Sequence, residues 1–366
     1  MKKNKFTPIV TATLLFLVSW AYSLSANAAN ALGYVFTTAC AKTYEAKQYQ
    51  KAYIICQKQA NEGNAEAQGF LASIYELGRI GNKNYRKAFF WFQKAAMQDY
   101  GQAQMNLGRL YLQGKGTRRN LKMAAYWFKK SAKLGDKVGQ FYLGHFYMRG
   151  IVVKRSEKMA LYWMKKSANQ GLQHAASYLA NLYYRGKGTR KNYEQSFHWA
   201  KKSAESGPPA AQFFLGWLYE SGRGTQRNYK QAFSWYKKSA DQGFSSAEYK
   251  LGSFYLEGYG VKKNIKQAIF YLKKSAKKAN PLAQANLGLI LLTGSYGTPT
   301  DFPQALYYIK KAARKKIPKA QFGMGLAYEN GLGIKRNLKK AIFWYKRASR
   351  KGFKPATNRL KAITGR

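Results

Sequence analysis

Gln102–Lys137, QAQMNLGRLYLQGKGTRRNLKMAAYWFKKSAKLGDK, decides the fold, because almost everything after Ala65 is a variation of this segment. A small residue opens each copy, in steps of 36 residues with one step of 37. These residues are Ala67, Ala103, Gly139, Ala175, Ala211, Ala247, Ala283, Ala320 and Ala356. An aromatic column keeps the same register at Trp91, Trp127, Trp163, Trp199, Trp235, Tyr271, Tyr308 and Trp344. A fixed period of about 20 to 50 residues is typical of stacked repeat proteins.

Each copy contains two runs of apolar and small residues at helical spacing, which predict two amphipathic helices. In Gln102–Lys137 the first run includes Ala103 and Gly108, and the second includes Trp127 and Phe128. Small residues allow neighbouring helices to approach closely, and we expect the aromatic pair to fill the space between them. The sequence therefore predicts an all-α solenoid of about eight helical hairpins.

A glycine-rich connector joins the two helices of each copy. In the connector 114–120, Gly114 can end the first helix and Asn120 can cap the second. The same chemistry recurs at residues 186–192, 222–228, 258–264 and 331–337. A Gly-x-Gly loop at a helix start can also cradle a phosphate, but no strand precedes this one and Gly-Lys-Ser/Thr is absent. We therefore interpret it as a repeat connector.

Two connectors depart from this pattern. The third, residues 150–156, lacks the second glycine and the asparagine. The seventh, residues 293–301, carries the one-residue insertion and has no lysine or arginine. Insertions in solenoids map to loops and often mark the working face.

The first 28 residues have the pattern of a secretory signal peptide. Three lysines precede an apolar run at residues 9–24, and Ala26 and Ala28 fit a small-x-small cleavage site. An uncleaved membrane anchor is the alternative, but the run is short and polar residues interrupt it. We predict cleavage after Ala28 and a periplasmic or secreted protein without a transmembrane segment.

The two cysteines, Cys40 and Cys56, lie in residues 29–65, which form a degenerate first hairpin. In an antiparallel hairpin that turns near Lys47, the two positions lie at similar distances from the turn. We predict a disulfide that closes the end of the array. A redox-active pair is disfavoured because Cys-x-x-Cys is absent. Full repeats occupy 66–354, and residues 355–366 form a capping helix.

Three motifs together, Ala-Gln-x-x-Leu-Gly-x-x-Tyr, Gly-x-Gly-Thr-x-x-Asn and Ala-x-x-Trp-Phe/Tyr-Lys-Lys-Ser-Ala, resemble the Sel1-like repeat family, which is related to the tetratricopeptide repeats. The resemblance extends from Glu66 to Gly352. It implies a right-handed α/α superhelix whose concave surface contacts proteins, commonly in adaptors. Family members with signal peptides include envelope assembly proteins and enhanced-entry proteins of intracellular bacterial pathogens. The family's acidic residue before the second helix is asparagine here, at Asn120, Asn192 and Asn228.

The sequence contains no complete catalytic motif. The cysteine-rich branch of the family has been associated with penicillin binding, and Ser234 and Lys237 have a Ser-x-x-Lys spacing, but Ser-Asp-Asn and Lys-Thr-Gly are absent. His145, His174 and His198 lie in different copies and form no common base. We predict no enzymatic activity, no cofactor and no metal site; β-lactam binding or hydrolysis is the least favoured alternative.

The charge is strongly positive, with 64 Lys and Arg against 15 Asp and Glu, a formal net charge of +49. Paired lysines recur in register with the repeat and predict a basic ladder. They are Lys129, Lys130, Lys165, Lys166, Lys201, Lys202, Lys237, Lys238, Lys273, Lys274, Lys310 and Lys311. The ladder suits an extended polyanion; alternatively, lysine fills solvent-exposed positions without a specific role.

Two functions are consistent with these features. The leading prediction is a non-enzymatic adaptor that binds a protein partner in its concave groove. Such an adaptor would support envelope assembly or host-cell interaction. The alternative is a protein that binds peptidoglycan, lipopolysaccharide or another acidic glycan through the ladder. Specific nucleic-acid binding is not expected because no recognition motif accompanies the charge. We expect a monomer.

Overall fold

The computed structural model describes residues 38–205 and 207–365, and in these ranges the chain forms 19 α-helices and no strand. The predicted signal peptide, residues 1–28, and the start of the predicted first hairpin lie outside the described residues. The chain divides into two compact units, residues 1–167 and 168–366.

The first unit contains α1 to α7 and most of α8, and each helix from α1 to α6 packs against the next in the chain, while Gly144 of α7 lies close to Met164 of α8. The helices are α1 Ala39–Glu45, α2 Tyr49–Asn61, α3 Ala65–Leu77, α4 Tyr85–Met97, α5 Gly101–Gln113, α6 Leu121–Lys133, α7 Lys137–Arg149 and α8 Glu157–Asn169.

The second unit begins within the last residues of α8, and its helices also pack in chain order. They are α9 Gln173–Arg185, α10 Tyr193–Ala204, α11 Pro209–Ser221, α12 Tyr229–Asp241, α13 Ser245–Glu257, α14 Ile265–Lys277, α15 Pro281–Thr293, α16 Phe302–Arg314, α17 Pro318–Asn330, α18 Leu338–Ser349 and α19 Lys354–Thr364. A short 3₁₀ helix, Ser295–Gly297, follows α15.

Each repeat consists of a first helix and a second helix, and the predicted caps are confirmed at both ends of the connector. The first helices are the odd-numbered helices α3 to α17, and the second helices are the even-numbered helices α4 to α18. Gly114 ends α5 in the left-handed conformation, and the Asn120 side chain accepts a hydrogen bond from the Met123 amide at the start of α6. In the third connector Ser156 takes over the cap, accepting from the Met159 amide at 3.2 Å. A hydroxyl thus replaces the missing asparagine.

The predicted close packing of small against large residues is confirmed between α5 and α6. A Cβ atom on Gly108 would lie 2.9 Å from the Phe128 ring, closer than carbon atoms pack. Phe128 is fully buried. The glycine therefore makes room for the aromatic ring of the second helix.

The second connector glycine is required by a backbone contact. Gly116 has φ +71°, and a Cβ atom there would lie 2.0 Å from the carbonyl oxygen of Tyr85 at the start of the preceding second helix. This contact supports a connector rather than a phosphate cradle. Val152 occupies the corresponding position of the third connector with φ 64°, a strained conformation for a β-branched residue.

The first hairpin turns at Lys47, between α1 and α2, as the sequence predicted. Cys40 and Cys56 are buried, their Cα atoms lie 4.6 Å apart, and their sulfur atoms are joined. The pair is therefore positioned for a disulfide. At the other end, α19 buries Ala356 and closes the last core cluster.

Candidate interaction surfaces

The lysines of the predicted ladder lie in the second half of the second helices α6, α8, α10, α12, α14 and α16. All are exposed except Lys130, which is half-buried. The structure adds a feature that the sequence analysis missed. In most repeats the second basic residue of the pair lies over aromatic rings of its own helix, one turn earlier.

In the first unit, three second helices carry the same set of two aromatic rings and one lysine, which we call a rung. The rungs consist of Phe90, Trp91 and Lys94 on α4, of Tyr126, Trp127 and Lys130 on α6, and of Tyr162, Trp163 and Lys166 on α8. The ammonium groups lie 4.7, 5.8 and 4.9 Å from the centroids of the first rings and 5.1, 5.7 and 5.6 Å from the tryptophans. The negative face of an aromatic ring attracts a cation at such distances.

The second unit carries three rungs in its later helices. They consist of Phe270, Tyr271 and Lys274 on α14, of Tyr307, Tyr308 and Lys311 on α16, and of Phe343, Trp344 and Arg347 on α18. Lys311 lies 4.2 Å from the Tyr307 centroid, and the Arg347 guanidinium lies 5.3 Å from that of Phe343. Lys274 instead pairs with the buried Glu248 at 3.6 Å. In α10 and α12 the first ring is replaced by His198 and Ser234.

The first ring of each rung is exposed, with 46% to 56% of its surface accessible. This exposure was not predicted from the sequence. The signal was present in the sequence, because this position directly precedes the tryptophan column and therefore lies about 100° away from it around the helix. Tyr126 and Tyr162 thus face outward where Trp127 faces the core.

Few carboxylates neutralise this surface. Asp99 pairs with Lys130 at 3.3 Å, and its hydrogen bond raises the pKa of that lysine. With 64 basic and 15 acidic residues in the chain, one-to-one pairing would still leave 49 cations. The rungs therefore belong to a strongly positive protein.

The first helices carry a position whose chemistry changes from repeat to repeat, which we call the variable column. Its members are Ser73, Arg109, His145, Asn181, Trp217, Ser253, Leu289 and Leu326. Each lies on the second turn from the end of a first helix. The structure shows that members of this column have different roles.

Arg109 forms a buried ion pair with Glu76 of the preceding first helix. The Nη2 to Oε2 distance is 2.6 Å and both side chains are 3% exposed. Arg109 also donates to Asn106 Oδ1 at 3.1 Å. The Glu76 carboxylate therefore joins two consecutive repeats.

Two further carboxylates at the same position join repeats in the second unit. Glu220 pairs with Lys250 at 2.7 Å, and Glu329 pairs with Arg359 at 2.5 Å. Each also accepts a hydrogen bond from a tyrosine of its own repeat, Tyr236 or Tyr345. Burial, together with the neighbouring carboxylate, raises the pKa of both phenols. These groups connect stacked hairpins.

His145 is buried within α7, where its burial lowers its pKa to about 4, and Arg149 adds to the effect. The histidine is therefore neutral near pH 7. Burial also lowers the pKa of His174 on α9. His198 packs edge-on against Trp199 on α10, with centroids 5.2 Å apart.

Trp217 belongs to an aromatic group that we call the Trp217 cluster, formed by Tyr184, Tyr193, Phe214, Trp217 and Arg223. The Phe214 and Trp217 rings stack at 5.9 Å, and Tyr184 meets both rings edge-on. The Arg223 guanidinium lies 5.0 to 5.6 Å from three ring centroids, those of Tyr184, Tyr193 and Trp217. Tyr193 is exposed and the other four side chains are half-buried. The cluster therefore presents aromatic and cationic surface at one place on α9 to α11.

A sequence profile of the Sel1 repeat matches eight consecutive segments. They are residues 65–100, 101–136, 137–172, 173–208, 209–244, 245–280, 281–316 and 318–353. The chain belongs to the Sel1 repeat family. The predicted family and the predicted all-α solenoid of Sel1-like repeats are thereby confirmed.

Solved structures of Sel1 repeat proteins resemble the chain. It is 35% identical to c5321, a protective antigen present in uropathogenic Escherichia coli strains displaying an SLR fold, with a TM-score of 0.77 over 85% of this chain and 67% of that chain. It is 28% identical to a Sel1 repeat protein from Oxalobacter formigenes, with a TM-score of 0.59 over 84% of this chain and 89% of that chain. No curated protein matches the sequence.

Sel1 repeat proteins generally mediate protein–protein interactions, and their fold is typically a non-catalytic scaffold. Ser234 and Lys237, which have the Ser-x-x-Lys spacing, both lie exposed on α12. The adjacent Lys238 ammonium lies 4.2 Å from the centroid of the Trp235 ring. Within residues 38–205 and 207–365, no three His, Cys, Asp or Glu side chains form a group suited to a metal ion. In the same ranges no helix combines the length and the apolarity needed to cross a membrane.

Proposed function

We propose that this Sel1 repeat protein is a non-enzymatic scaffold, located in the bacterial cell envelope or secreted, that binds an acidic segment of a protein partner at the Trp217 cluster. In this role it supports envelope assembly or contact with a host cell. The proposal refines the general interaction function of the family to one surface and one kind of partner.

The observation that carries the proposal is Trp217, the one tryptophan of the variable column, together with the rings packed around it. In the neighbouring repeats the same position holds Asn181 and Ser253. Trp, Tyr and Arg are the residues most enriched among those that dominate binding energy at protein interfaces. Edge-on and stacked contacts hold the rings of the Trp217 cluster in place, so little side-chain freedom is lost when a partner binds.

The charge favours an acidic partner. Arg223 places a guanidinium among the rings, and a formal charge of +49 attracts an acidic protein from a distance. A partner carboxylate can accept paired hydrogen bonds from a guanidinium while apolar side chains contact the surrounding rings. The expected ligand is therefore an acidic segment that also carries apolar residues.

The cysteine pair supports the location. Disulfides persist mainly in oxidising compartments, and Cys40 and Cys56 are positioned to form one. The basic and apolar pattern of residues 1–28 agrees with export. Edman sequencing of the protein isolated from the periplasm or the medium would test cleavage after Ala28.

The binding experiment uses the chain from residue 29 to 366 as bait in a cell-envelope extract, at low and at high salt. A captured protein is purified, and its affinity for the wild type and for Trp217→Ser is measured by calorimetry. Serine is the residue at the same position of the next repeat, so the substitution suits the fold. We expect Trp217→Ser to weaken binding at least about thirtyfold.

The matched control is Ser253→Ala, which alters the same position one repeat later and should bind like the wild type. Wild-type affinity in Trp217→Ser, or a partner whose bound segment lacks acidic residues, would refute the proposal.

A further inference from the structure

The rungs present a second surface, which faces solvent on the second helices and is distinct from the Trp217 cluster. In the first unit the three exposed rings meet their tryptophans edge-on, with centroids 5.0 to 5.1 Å apart and interplanar angles of 79° to 82°. The same contact recurs in the second unit for Phe270, Tyr307 and Phe343, at 5.2 to 5.4 Å. The half-buried or buried neighbour therefore fixes the direction of each exposed ring.

Each rung combines two chemical properties at one place. The ring offers a flat apolar face with partial negative charge, and in five of the six rungs the cation four residues later lies over that ring. A ligand that matches a rung needs polarised C–H groups to lie on the ring and an anionic group to pair with the ammonium. A sugar that carries a carboxylate, a sulfate or a phosphate has both.

The recurrence of the rungs points to a polymer. A protein partner presents a different surface to each repeat, whereas a polysaccharide presents the same unit again and again. Within each unit three rungs follow one another on successive second helices, α4 to α8 and α14 to α18. Most positions next to the basic residue also hold a lysine, as at Lys129 and Lys165, which adds positive charge along the same surface.

We propose that the rungs bind an acidic polysaccharide, with sugar faces on the exposed rings and anionic groups on the adjacent cations. Single-stranded nucleic acid also combines flat groups with negative charge. The glycan is favoured because the cysteine pair and the pattern of residues 1–28 agree with a location outside the cytoplasm, where glycans are the abundant polyanions. Binding at the rungs does not depend on the Trp217 cluster.

The test uses a variant that removes all six rings, Phe90→Ser, Tyr126→Ser, Tyr162→Ser, Phe270→Ser, Tyr307→Ser and Phe343→Ser, which we call the six-serine variant. Serine is the natural residue at this position in α12, Ser234. The probes are an oligogalacturonate, a neutral maltooligosaccharide of equal length, polyphosphate and a single-stranded oligothymidylate. Affinities are measured by calorimetry, and tryptophan fluorescence reports on contact beside the rings.

The wild type should bind the oligogalacturonate more tightly than the maltooligosaccharide, and the affinity should fall as salt is added. In the six-serine variant the oligogalacturonate should bind at least about tenfold more weakly, by analogy with the loss of one stacked base. Polyphosphate should bind equally well to both proteins, because the lysines remain.

A second variant is the control for misfolding caused by six simultaneous substitutions. It exchanges Phe and Tyr at the same six positions, keeps every ring, and should keep wild-type affinity for the oligogalacturonate. Unchanged oligogalacturonate binding in the six-serine variant would overturn the proposal. Tighter binding of the oligothymidylate, lost when the rings are removed, would assign the surface to nucleic acid instead.

Discussion

The first and second helices of this protein differ in how much the chemistry at one position changes from repeat to repeat. On the second helices the rungs repeat almost the same chemistry, broken only at His198 and Ser234. On the first helices the variable column changes from an ion-paired arginine to a buried histidine to a clustered tryptophan, at Arg109, His145 and Trp217. A surface that repeats suits a ligand that repeats, whereas a surface that changes suits one partner or one structural task.

Within the variable column, buried residues are expected to affect stability and half-buried residues to affect binding. Arg109 and His145 are buried in the first unit, so we expect them to affect folding. Trp217 is half-buried in the second unit beside the exposed Tyr193, so we expect it to affect binding. The first rings of the rungs, which are exposed, should affect folding least.

The largest effect on stability is expected for the Glu76–Arg109 pair. Arg109→Ala removes the cation from the buried ion pair with Glu76, and breaking a buried ion pair by removing one member typically costs about 3–5 kcal/mol. Urea unfolding followed by circular dichroism measures the change. Lys274→Ala is the control, because that ion pair is 3.6 Å long and the lysine is 44% exposed, so the cost should stay below about 1 kcal/mol. An equal loss of unfolding free energy in Arg109→Ala and Lys274→Ala would contradict a stabilising role for the buried Glu76–Arg109 pair.

A somewhat smaller effect is expected from His145 as the pH falls. The pKa of His145 is about 4 in the folded protein, below its ordinary value of 6.5, so the unfolded chain takes up the proton first. Its contribution is therefore complete above pH 6.5 and is lost as the pH falls towards 4. Between these values the wild type should lose about 3 kcal/mol more stability than His145→Gln.

The measurement is a series of urea unfolding curves from pH 8 to pH 4 for both proteins. The difference at pH 8, where the histidine is neutral in both states, gives the cost of the substitution itself. Parallel pH dependences of the two proteins would show that His145 is not held neutral.

The third connector should gain stability when its strain is removed. Val152 has φ 64° and is half exposed, so glycine relieves the backbone while little packing is lost. Val152→Gly should raise the free energy of unfolding by about 1 kcal/mol. Gly116→Val, the reverse change one repeat earlier, should destabilise the protein because of the contact with the Tyr85 carbonyl. If both substitutions raised the free energy of unfolding, or both lowered it, the second and third connectors would not share one backbone conformation.

The smallest effect is expected at an exposed rung. Tyr162→Ser should change the free energy of unfolding by less than about 0.5 kcal/mol, as is usual for surface substitutions. Thermal unfolding of both proteins under the same conditions measures it. A loss of several kcal/mol would mean that the ring stabilises the fold and is not available to a ligand.

The fold could be predicted because each of its determinants is local in sequence. The period, the glycine at the end of each first helix and the asparagine cap of each second helix are all visible within one repeat. Close packing of Gly108 against Phe128 also follows from a single hairpin. Because these signals recur in register, the sequence predicts one architecture, a solenoid of helical hairpins.

The interaction surfaces could be predicted only in part. The lysine ladder was visible, but the exposed ring beside it was not predicted, because only the adjacent aromatic column was followed from repeat to repeat. Pairs such as Glu76 with Arg109 depend on how one hairpin lies on the next, and their spacing of 33 residues differs from the 30 residues between Glu220 and Lys250. The Trp217 cluster draws on α9, α10, α11 and a connector, which no single helical pattern reveals.

The central claim is that the repeating surface and the unique cluster bind different ligands. The most direct measurement compares Trp217→Ser with the six-serine variant, using calorimetry with the captured protein partner and with oligogalacturonate. We predict that Trp217→Ser loses the protein and keeps the oligosaccharide, and that the six-serine variant does the reverse. Loss of both ligands in either variant, with the fold intact, would contradict the account.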